Sequence, residues 1–214
     1  MKKGIIFDLD GTLINSLPDI AGSMNRVLVR NGLEVHPVEA YKLMVGNGAV
    51  RLTERAIGGQ TDMKEKVYRE YRAEYSTHAC VDSYPYEGMT KTLQALEQRG
   101  IMMAVFSNKD QEDTEQVIRH YFPGIAFSIV RGRQEGVPLK PSPEGALMIA
   151  EAFHLKPEEV LYVGDTGTDM DCGKNASMET VGVSWGFRSV DELKEHQACH
   201  IIDKPEELLA YFDQ

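Results

Sequence analysis

Short apolar runs alternate with amphipathic stretches along most of the chain. Each apolar run has the length of one strand, whereas the amphipathic stretches repeat apolar residues at helical spacing. The predicted strands are Gly4–Phe7, Met102–Phe106, Ala126–Val130, Val160–Val163, Thr180–Val183 and His200–Ile202. Strands that alternate with helices build β-α-β units, so the pattern predicts an α/β fold with a mostly parallel sheet covered on both faces.

Four amphipathic stretches in the second part of the chain predict helices. They cover Met89–Arg99, Gln111–Tyr121, Pro143–Phe153 and Ser189–Gln197. Ser142 is the expected N-cap of the third helix, with Pro143 in its first position. Ser189 and Glu192 open the fourth with the spacing of a capping box.

The segment between the first two predicted strands has helical patterns and no strand pattern. One apolar repeat stops at Gly32, and another runs from Met63 to Tyr75. A helical block inserted there would cover the C-terminal edge of the sheet, where open α/β sheets bind ligands. We therefore predict an α/β core of residues 1–15 and 83–214 and a small α-helical cap domain of residues 16–82.

Composition narrows the class of protein. Hydrophobic residues make up 42% of the 214 positions, enough for a sizeable core. A formal net charge of −10 opposes binding to nucleic acid and to anionic membranes. The three separated cysteines and the absence of a long apolar segment lead us to expect a soluble, cytoplasmic protein with reduced thiols. The pattern leaves open whether the protein is a monomer or a homodimer.

The strongest chemical signal follows the first predicted strand, where Asp8 and Asp10 stand two residues apart. Side chains at that spacing in an extended chain point the same way, so both carboxylates can face one reacting centre. Gly11 permits a sharp turn, and the Thr12 hydroxyl can hold it. The alternative is a solvated turn, which the buried strand in front of the pair disfavours.

Two further polar groups also follow apolar runs. The Ser107 hydroxyl and the backbone around Asn108 could hold phosphate oxygens at the start of the next helix, although an ordinary helix cap would have the same sequence. Lys140 lies between Pro138 and Pro141, which stiffen the backbone around its ammonium. A fixed cation suits a transferring phosphoryl group, but most lysines are only solvated surface charges.

A fourth signal follows the strand Val160–Val163. Asp165 and Asp169 supply hard oxygen ligands of the kind that Mg²⁺ requires. Asp171 is close in sequence, but helical geometry would turn it away from Asp169. The six histidines show no metal-ligand spacing, and we expect them to be structural or exposed.

Taken together, these motifs resemble the four motifs of the haloacid dehalogenase-like (HAD) superfamily, in the right order and over nearly the whole chain. The helical insert is similar to the cap of the subgroup that contains phosphoglycolate phosphatases and β-phosphoglucomutases. The cap segment 45–52 and the segment 183–187 are similar to the phosphoglycolate phosphatase versions. The resemblance implies a Rossmann-like core and a Mg²⁺-dependent phosphatase that acts on a small phosphorylated metabolite.

The resemblance also assigns roles to residues. Asp8 is the nucleophile that forms an aspartyl phosphate, and Asp10 protonates the leaving oxygen and then activates water. The implied Mg²⁺ ligands are Asp8, Asp165, the Asp10 carbonyl and, directly or through water, Asp169. The implied phosphate-binding residues are Gly11, Thr12, Ser107, Asn108 and Lys140. Because dehalogenases of the superfamily lack the second acid, Asp10 favours phosphoryl chemistry.

The substrate is the open part of this interpretation. Phosphoglycolate is the best single expectation, and Asn47 and Arg51 of the cap are candidate substrate contacts, although Arg51 could equally be a surface charge. The loop 130–135 carries arginines where phosphoglycolate phosphatase-like chains often have an Asp. A phosphomutase similar to β-phosphoglucomutase and a pyrophosphatase are alternatives on the same site. A non-catalytic regulatory module is a more remote one, since it would not need all these acids.

Overall fold

The computed structural model describes residues 1–213 and contains one six-stranded sheet. Its strands are β1 Gly4–Phe7, β4 Met102–Asp110, β5 Ile129–Arg133, β6 Val160–Gly164, β7 Glu179–Val183 and β8 His200–Ile202. They lie in the order β5-β4-β1-β6-β7-β8, and every neighbouring pair is parallel. The predicted α/β fold with a parallel sheet is therefore confirmed.

Helices cover both faces of this sheet. Those that follow the cap segment are α4 Met89–Gln98, α5 Gln111–Tyr121, α6 Glu144–Ala152, α7 Gly167–Asn175 and α8 Val190–Glu195. Along β1, Ile5 and Phe7 pack into one apolar cluster, whereas Ile6 packs into the other with Ala146 and Ile149 of α6. Because both faces of the sheet are buried, the side chains on both sides of each strand are apolar. The strands therefore appear in the sequence as continuous apolar runs.

The segment between β1 and β4 is largely helical. It contains α1 Leu17–Arg30, α2 Gly48–Ala56 and α3 Lys64–His78, with short 3-10 helices at Val38–Leu43 and Thr61–Met63. The apolar face predicted for the first helix is buried as expected. Two short strands, β2 Ile14–Asn15 and β3 Tyr84–Pro85, flank this segment and pair antiparallel. They lie where the chain leaves and re-enters the part that builds the six-stranded sheet and its flanking helices, called the sheet domain below. The cap boundaries at residues 16 and 82 stay a prediction.

A buried acid ties the two ends of this helical segment together. Asp19, in the first turn of α1, accepts hydrogen bonds from the backbone N–H groups of Val81, Asp82 and Ser83 at 2.9–3.0 Å. The Ser83 hydroxyl adds a fourth at 2.6 Å. Local sequence patterns could not reveal this contact, because its partners are more than 60 residues apart.

Two predicted element boundaries and one predicted capping box were wrong. The strand predicted over Ala126–Val130 lies at Ile129–Arg133, because Phe127 instead packs on Phe122 at the end of α5. The third helix begins at Glu144 with Pro143 before it, so Ser142 is not its N-cap. Ser189 caps α8, but the Glu192 carboxylate binds the Gly167 N–H instead of completing a capping box. Among residues 1–213 no helix is both long and apolar enough to cross a membrane.

Candidate active site

Acids from two strand ends meet at the C-terminal edge of the sheet. Asp8 follows β1, and its N–H donates to Val163 O of the neighbouring β6 at 2.9 Å. Asp165 follows β6, and Asp169 stands in the first turn of α7. Carboxylate oxygens of these three buried residues lie within 4.8 Å of one another. Parallel strands place their carboxyl ends at one edge, which is why acids distant in sequence converge here.

Lys140 lies inside this acidic cluster. Its ammonium is 2.8 Å from Asp8 Oδ1 and 2.7 Å from Asp169 Oδ1, and its side chain is 2% exposed. Asn108 fixes the lysine backbone from both sides, with Oδ1 accepting from Lys140 N–H at 2.9 Å and Nδ2 donating to Lys140 O at 3.2 Å. The predicted lysine is therefore a buried, positioned cation and not a solvated surface charge.

The cluster has more negative charge than its lysine can balance. Burial raises the pKa of Asp8 well above its ordinary value, and the charges of Asp169 and Asp165 raise it further against the effect of Lys140. Burial and Asp169 together raise the pKa of Asp165 to about 7. Burial opposes the charge on Lys140, but Asp169 and Asp8 outweigh it, so its pKa is raised and it stays charged. Three hard carboxylates facing one ammonium can hold a metal cation.

The neighbours of Asp165 and Asp169 hold these two side chains in place. Asp165 accepts from the Thr12 hydroxyl at 3.2 Å and from the Phe187 N–H at 2.7 Å. Asp169 Oδ2 accepts from the Thr166 hydroxyl at 2.6 Å. A Cβ added to Gly11, which has φ +88°, would lie 2.3 Å from an Asp165 oxygen, so only glycine fits there. In this structure Gly11 and Thr12 therefore contact an acid of the cluster.

Asp10 faces a different part of the site. Lys109 Nζ lies 3.1 Å from Asp10 Oδ1, and it also donates to the Tyr75 hydroxyl at 2.6 Å. Burial opposes the charge on Lys109, but Asp10, Tyr71 and Asp113 together raise its pKa. Sequence spacing assigned no role to Lys109. Its link to Tyr75 of α3 could not be found from spacing, because the two residues meet only in the folded chain.

Asp8, Asp10, Lys109 and Lys140 line one cleft. Its walls come from the strand ends and from the helical segment between β1 and β4. The polar and charged residues that line it are Asp8, Asp10, Tyr71, Arg72, Tyr75, Ser107, Asn108, Lys109, Asp110, Asp113 and Lys140. The apolar side is formed by Ile20, Val45, Ala49 and Leu52, with Gly46 and Gly48 beside them. The N-terminus of α2 thus lies at the cleft.

The two candidate contacts of the cap lie outside this cleft. Arg51 is 67% exposed and pairs with Glu54, three residues further along the same helix. Asn47 accepts from Arg55 at 2.8 Å and donates to the Thr168 hydroxyl at 3.5 Å, so it connects α2 to α7. Neither residue contacts the acids of the site, and a substrate role for either stays a prediction without a supporting contact.

The residues set aside by sequence analysis lie away from the site as expected. Asp171 binds His196 at 2.8 Å on the far side of α7. No histidine takes part in a cluster of potential metal ligands within residues 1–213. The segment 183–187 contributes to the site in a way that spacing could not show. Its Phe187 N–H holds Asp165, and the Trp185 indole donates to Thr12 O at 3.1 Å.

Fold and site together define an α/β protein with an acidic, potentially metal-binding centre at the switch point of its sheet. Residues 5–183 match the family described as haloacid dehalogenase-like hydrolase. The chain belongs to the haloacid dehalogenase-like hydrolase family.

Similar proteins narrow the class of enzyme. A protein of Haemophilus influenzae named phosphoglycolate phosphatase is 31% identical over 217 residues, which cover 97% of each chain. Another with that name, from Psychrobacter arcticus, is 28% identical over 98% of this chain and 95% of its own. The crystal structure titled a "predicted phosphoglycolate phosphatase" from Haemophilus somnus superposes with a TM-score of 0.91, at 28% identity over 99% and 98% of the two chains. The prediction that the chain is a phosphoric monoester hydrolase is confirmed.

Proposed function

We propose that the enzyme hydrolyses phosphoglycolate in the presence of Mg²⁺, with Asp8 as the nucleophile. The observation that carries the proposal is the contact of one buried lysine with Asp8 inside a cluster of three carboxylates, with Asp10 in the same cleft. A non-catalytic module has no need of such a costly arrangement of buried charges. The substrate is supported by the names of the relatives reported above.

The acids of the cluster fit a magnesium ion. Asp8, Asp165 and Asp169 would hold it with the Asp10 carbonyl, since Mg²⁺ prefers a few hard oxygen ligands. When bound, the ion would neutralise the negative charge that keeps an anionic nucleophile from an anionic phosphoryl group. The raised pKa values of Asp8 and Asp165 support this assignment, because they show a charge excess that a divalent cation would relieve.

Two displacements would complete the reaction. In the first, an Asp8 carboxylate oxygen attacks phosphorus, the bond to the ester oxygen breaks, and Asp10 gives that oxygen its proton. In the second, Asp10 takes a proton from water, the water oxygen attacks phosphorus, and the Asp8–phosphorus bond breaks to release inorganic phosphate. Lys140, Ser107 and Asn108 would hold the phosphoryl oxygens during both steps.

The first experiment measures phosphate release by the purified protein with Mg²⁺ from phosphoglycolate, sugar phosphates, nucleotides and pyrophosphate. We expect the highest kcat/KM on phosphoglycolate. Both a chelator and the substitution Asp8→Asn should abolish release, while the substitution Asp171→Asn, an acid outside the cleft, should not. Absence of release from every member of the panel would reject the proposal.

We also propose a cytoplasmic location. Support comes from Cys80, Cys172 and Cys199, which are all free thiols in the structure, as is usual in a reducing compartment.

Whether the enzyme is a monomer or a homodimer stays a prediction. Sedimentation of the purified protein at several concentrations measures its mass and decides between the two.

A further inference from the structure

Besides Lys140, the cleft contains a second buried cation, Lys109, which the proposed reaction does not use. The Lys109 side chain is 8% exposed, although lysine is rarely buried. It reaches the cleft from the end of β4, and Tyr75 reaches the same place from α3. A buried ammonium in a ligand cleft needs a reason, since burial without full pairing is costly.

The hydrogen bonds of Lys109 are incomplete. Within residues 1–213 its ammonium donates only to the Tyr75 hydroxyl. Asp10 Oδ1 is 3.1 Å away, yet this buried oxygen has no partner with hydrogen-bond geometry. An ammonium has three N–H donors; one goes to Tyr75 and one faces Asp10, so one stays available, together with the O–H of Tyr75. These donors match a ligand group with two acceptor oxygens.

The position of Lys109 specifies which part of a substrate it would meet. Asp10 has to reach the ester oxygen of the leaving group in order to protonate it. An ammonium 3.1 Å from Asp10 Oδ1 therefore lies beside the leaving group and not beside the phosphoryl group. A group that it binds has to be attached to the ester carbon itself or very near it.

The other charged side chains on this side of the cleft favour a ligand group with a single negative charge. Arg72 pairs with Asp110 at 2.8 Å, whereas Lys109 keeps one free N–H donor beside its contacts with Asp10 and Tyr75. Asp10 and Asp113 also line the wall, and they would repel a second phosphate. A carboxylate has one charge and two acceptor oxygens, and it suits the donors better than either a phosphate or a hydroxyl.

Apolar side chains complete this side of the cleft and limit the size of the leaving group. Ile20, Leu52 and Tyr71 line it, and Tyr71 stacks on Tyr75 with ring centroids 5.7 Å apart. All three belong to the helical segment between β1 and β4. The donors of Lys109 and Tyr75 thus face a space between this segment and the strand ends of the sheet.

We propose that Lys109 and Tyr75 form a subsite for a carboxylate on the leaving group. The enzyme would then select phosphomonoesters in which the carbon that bears the ester oxygen also bears a carboxylate. This inference rests on the proposed phosphatase function and adds the residues that select the substrate class. Lys109 is a specificity-determining residue, distinct from the phosphoryl-binding Lys140.

The test compares phosphoglycolate with 2-hydroxyethyl phosphate, which has the same length but a neutral end. We expect wild-type kcat/KM to favour phosphoglycolate by about 10- to 100-fold, the range of a hydrogen bond to a charged group. The substitution Lys109→Met should bring this ratio close to one, mainly through KM. Tyr75→Phe should lower it by a smaller factor, and Lys109→Arg should restore part of it.

Each other outcome has a definite meaning. A wild-type ratio near one would overturn the subsite while leaving the phosphatase function intact, and this measurement does not depend on the folding of any variant. A parallel loss on both substrates in Lys109→Met, with the ratio unchanged, would show that Lys109 only positions Asp10, and would also overturn the inference. Failure of the wild type to release phosphate from either substrate would reject the proposed function itself.

Discussion

At the scale of single residues, Lys140 shows how a side chain acquires a function through its surroundings. Its ammonium contacts Asp8 and Asp169, two acids that belong to different sheet connections. Because those carboxylates are buried, the charge of Lys140 is the main compensation that the chain itself supplies. In the proposed reaction the same ammonium would also neutralise a phosphoryl group.

We expect Lys140→Met to lower kcat for phosphate release by about 100- to 1000-fold, the usual loss when one fixed electrostatic partner of a transition state is removed. The steady-state rate with saturating Mg²⁺ measures it. Lys174→Met is a matched control, because Lys174 is a half-exposed lysine on α7 that pairs with Asp171. A variant at position 140 that retains more than a tenth of the wild-type kcat would contradict the assigned role.

The raised pKa of Asp165, about 7, predicts a pH-dependent metal affinity. Between its ordinary pKa of 3.8 and 7, the folded protein without metal holds a proton that the unfolded chain releases, so this acid destabilises the fold as pH rises. A cation binds the deprotonated form and has to displace that proton below pH 7. The increase in Tm caused by Mg²⁺ should therefore be larger at pH 8 than at pH 6.

Differential scanning calorimetry with and without Mg²⁺ at the two pH values checks this expectation. Asp165→Asn is the control, since it removes the titrating group and should give a small Mg²⁺ effect at both pH values. An equal Mg²⁺ effect at pH 6 and pH 8 in the wild type would show that no acid of the cluster titrates in this range.

At the scale of helices and strands, local patterns fixed the type of each element better than its ends. The strand β5 begins three residues later than its apolar run, because its pairing with β4 sets the register and Phe127 packs elsewhere. Likewise, Ser189 accepts the expected N-cap hydrogen bond, while Glu192 turns to Gly167 of a neighbouring helix. Such choices depend on a partner in another element, and local propensity carries no information about that partner.

Asp19 joins the start of α1 to the segment that returns to the sheet domain. Asp19→Ala would leave the N–H groups of Val81, Asp82 and Ser83 without their acceptor in a partly buried place. We expect the free energy of unfolding to fall by about 2–4 kcal/mol, since these hydrogen bonds go to a charged group and are not additive. Denaturation in urea measures the loss, and Asp62→Ala, an exposed acid of the same segment, serves as control. Equal midpoints for the two variants would disprove the role.

At the scale of the whole molecule, an ion cluster joins the helical segment to the sheet domain. Asp110, at the end of β4, binds Arg72 of α3 through one oxygen and Arg133 of β5 through the other. Arg133 also donates to the Tyr68 hydroxyl of α3 at 3.3 Å. The arginine-bearing segment 130–135, expected as a loop, lies mainly in β5, and its Arg133 connects β5 to α3 and to Asp110.

We expect Arg133→Met to raise KM for phosphoglycolate by about 2- to 5-fold, because half-exposed ion pairs contribute less than about 1 kcal/mol each. Arg133 does not line the cleft, so the effect would come from weaker contact between the helical segment and the sheet domain. Steady-state kinetics at low and high salt check it, and wild-type KM should approach that of the variant as salt rises. Arg119→Met, which removes an exposed pair on α5, should leave KM unchanged.

Movement of the cap during turnover is a related prediction. If the helical segment opens to admit substrate, small-angle scattering should show a more compact protein with a trapped phosphate analogue than without it. Identical curves in the two states would count against an opening motion. The ion cluster around Asp110 would then be a fixed support and not a contact that is made and broken.

The α/β class, the helical insert and the residues of the acidic centre could be predicted from sequence patterns alone. This was possible because strand periodicity, helix periodicity and residues at strand ends are local properties, and a parallel sheet brings strand ends together by geometry. Asp8, Lys140, Asp165 and Asp169 meet in the structure, as the order of the motifs predicted. Their individual roles stay predictions until the variants are measured.

Which side chains lie beside Asp10 in the cleft could be learned only from the folded molecule. Arg51 had the right chemistry but points to solvent, whereas Lys109 is buried beside Asp10 and Tyr75. The physical reason is that both contacts depend on how one helical segment sits on the sheet domain. Residue type and spacing show what a side chain could bind, and the packing of distant elements decides what it meets.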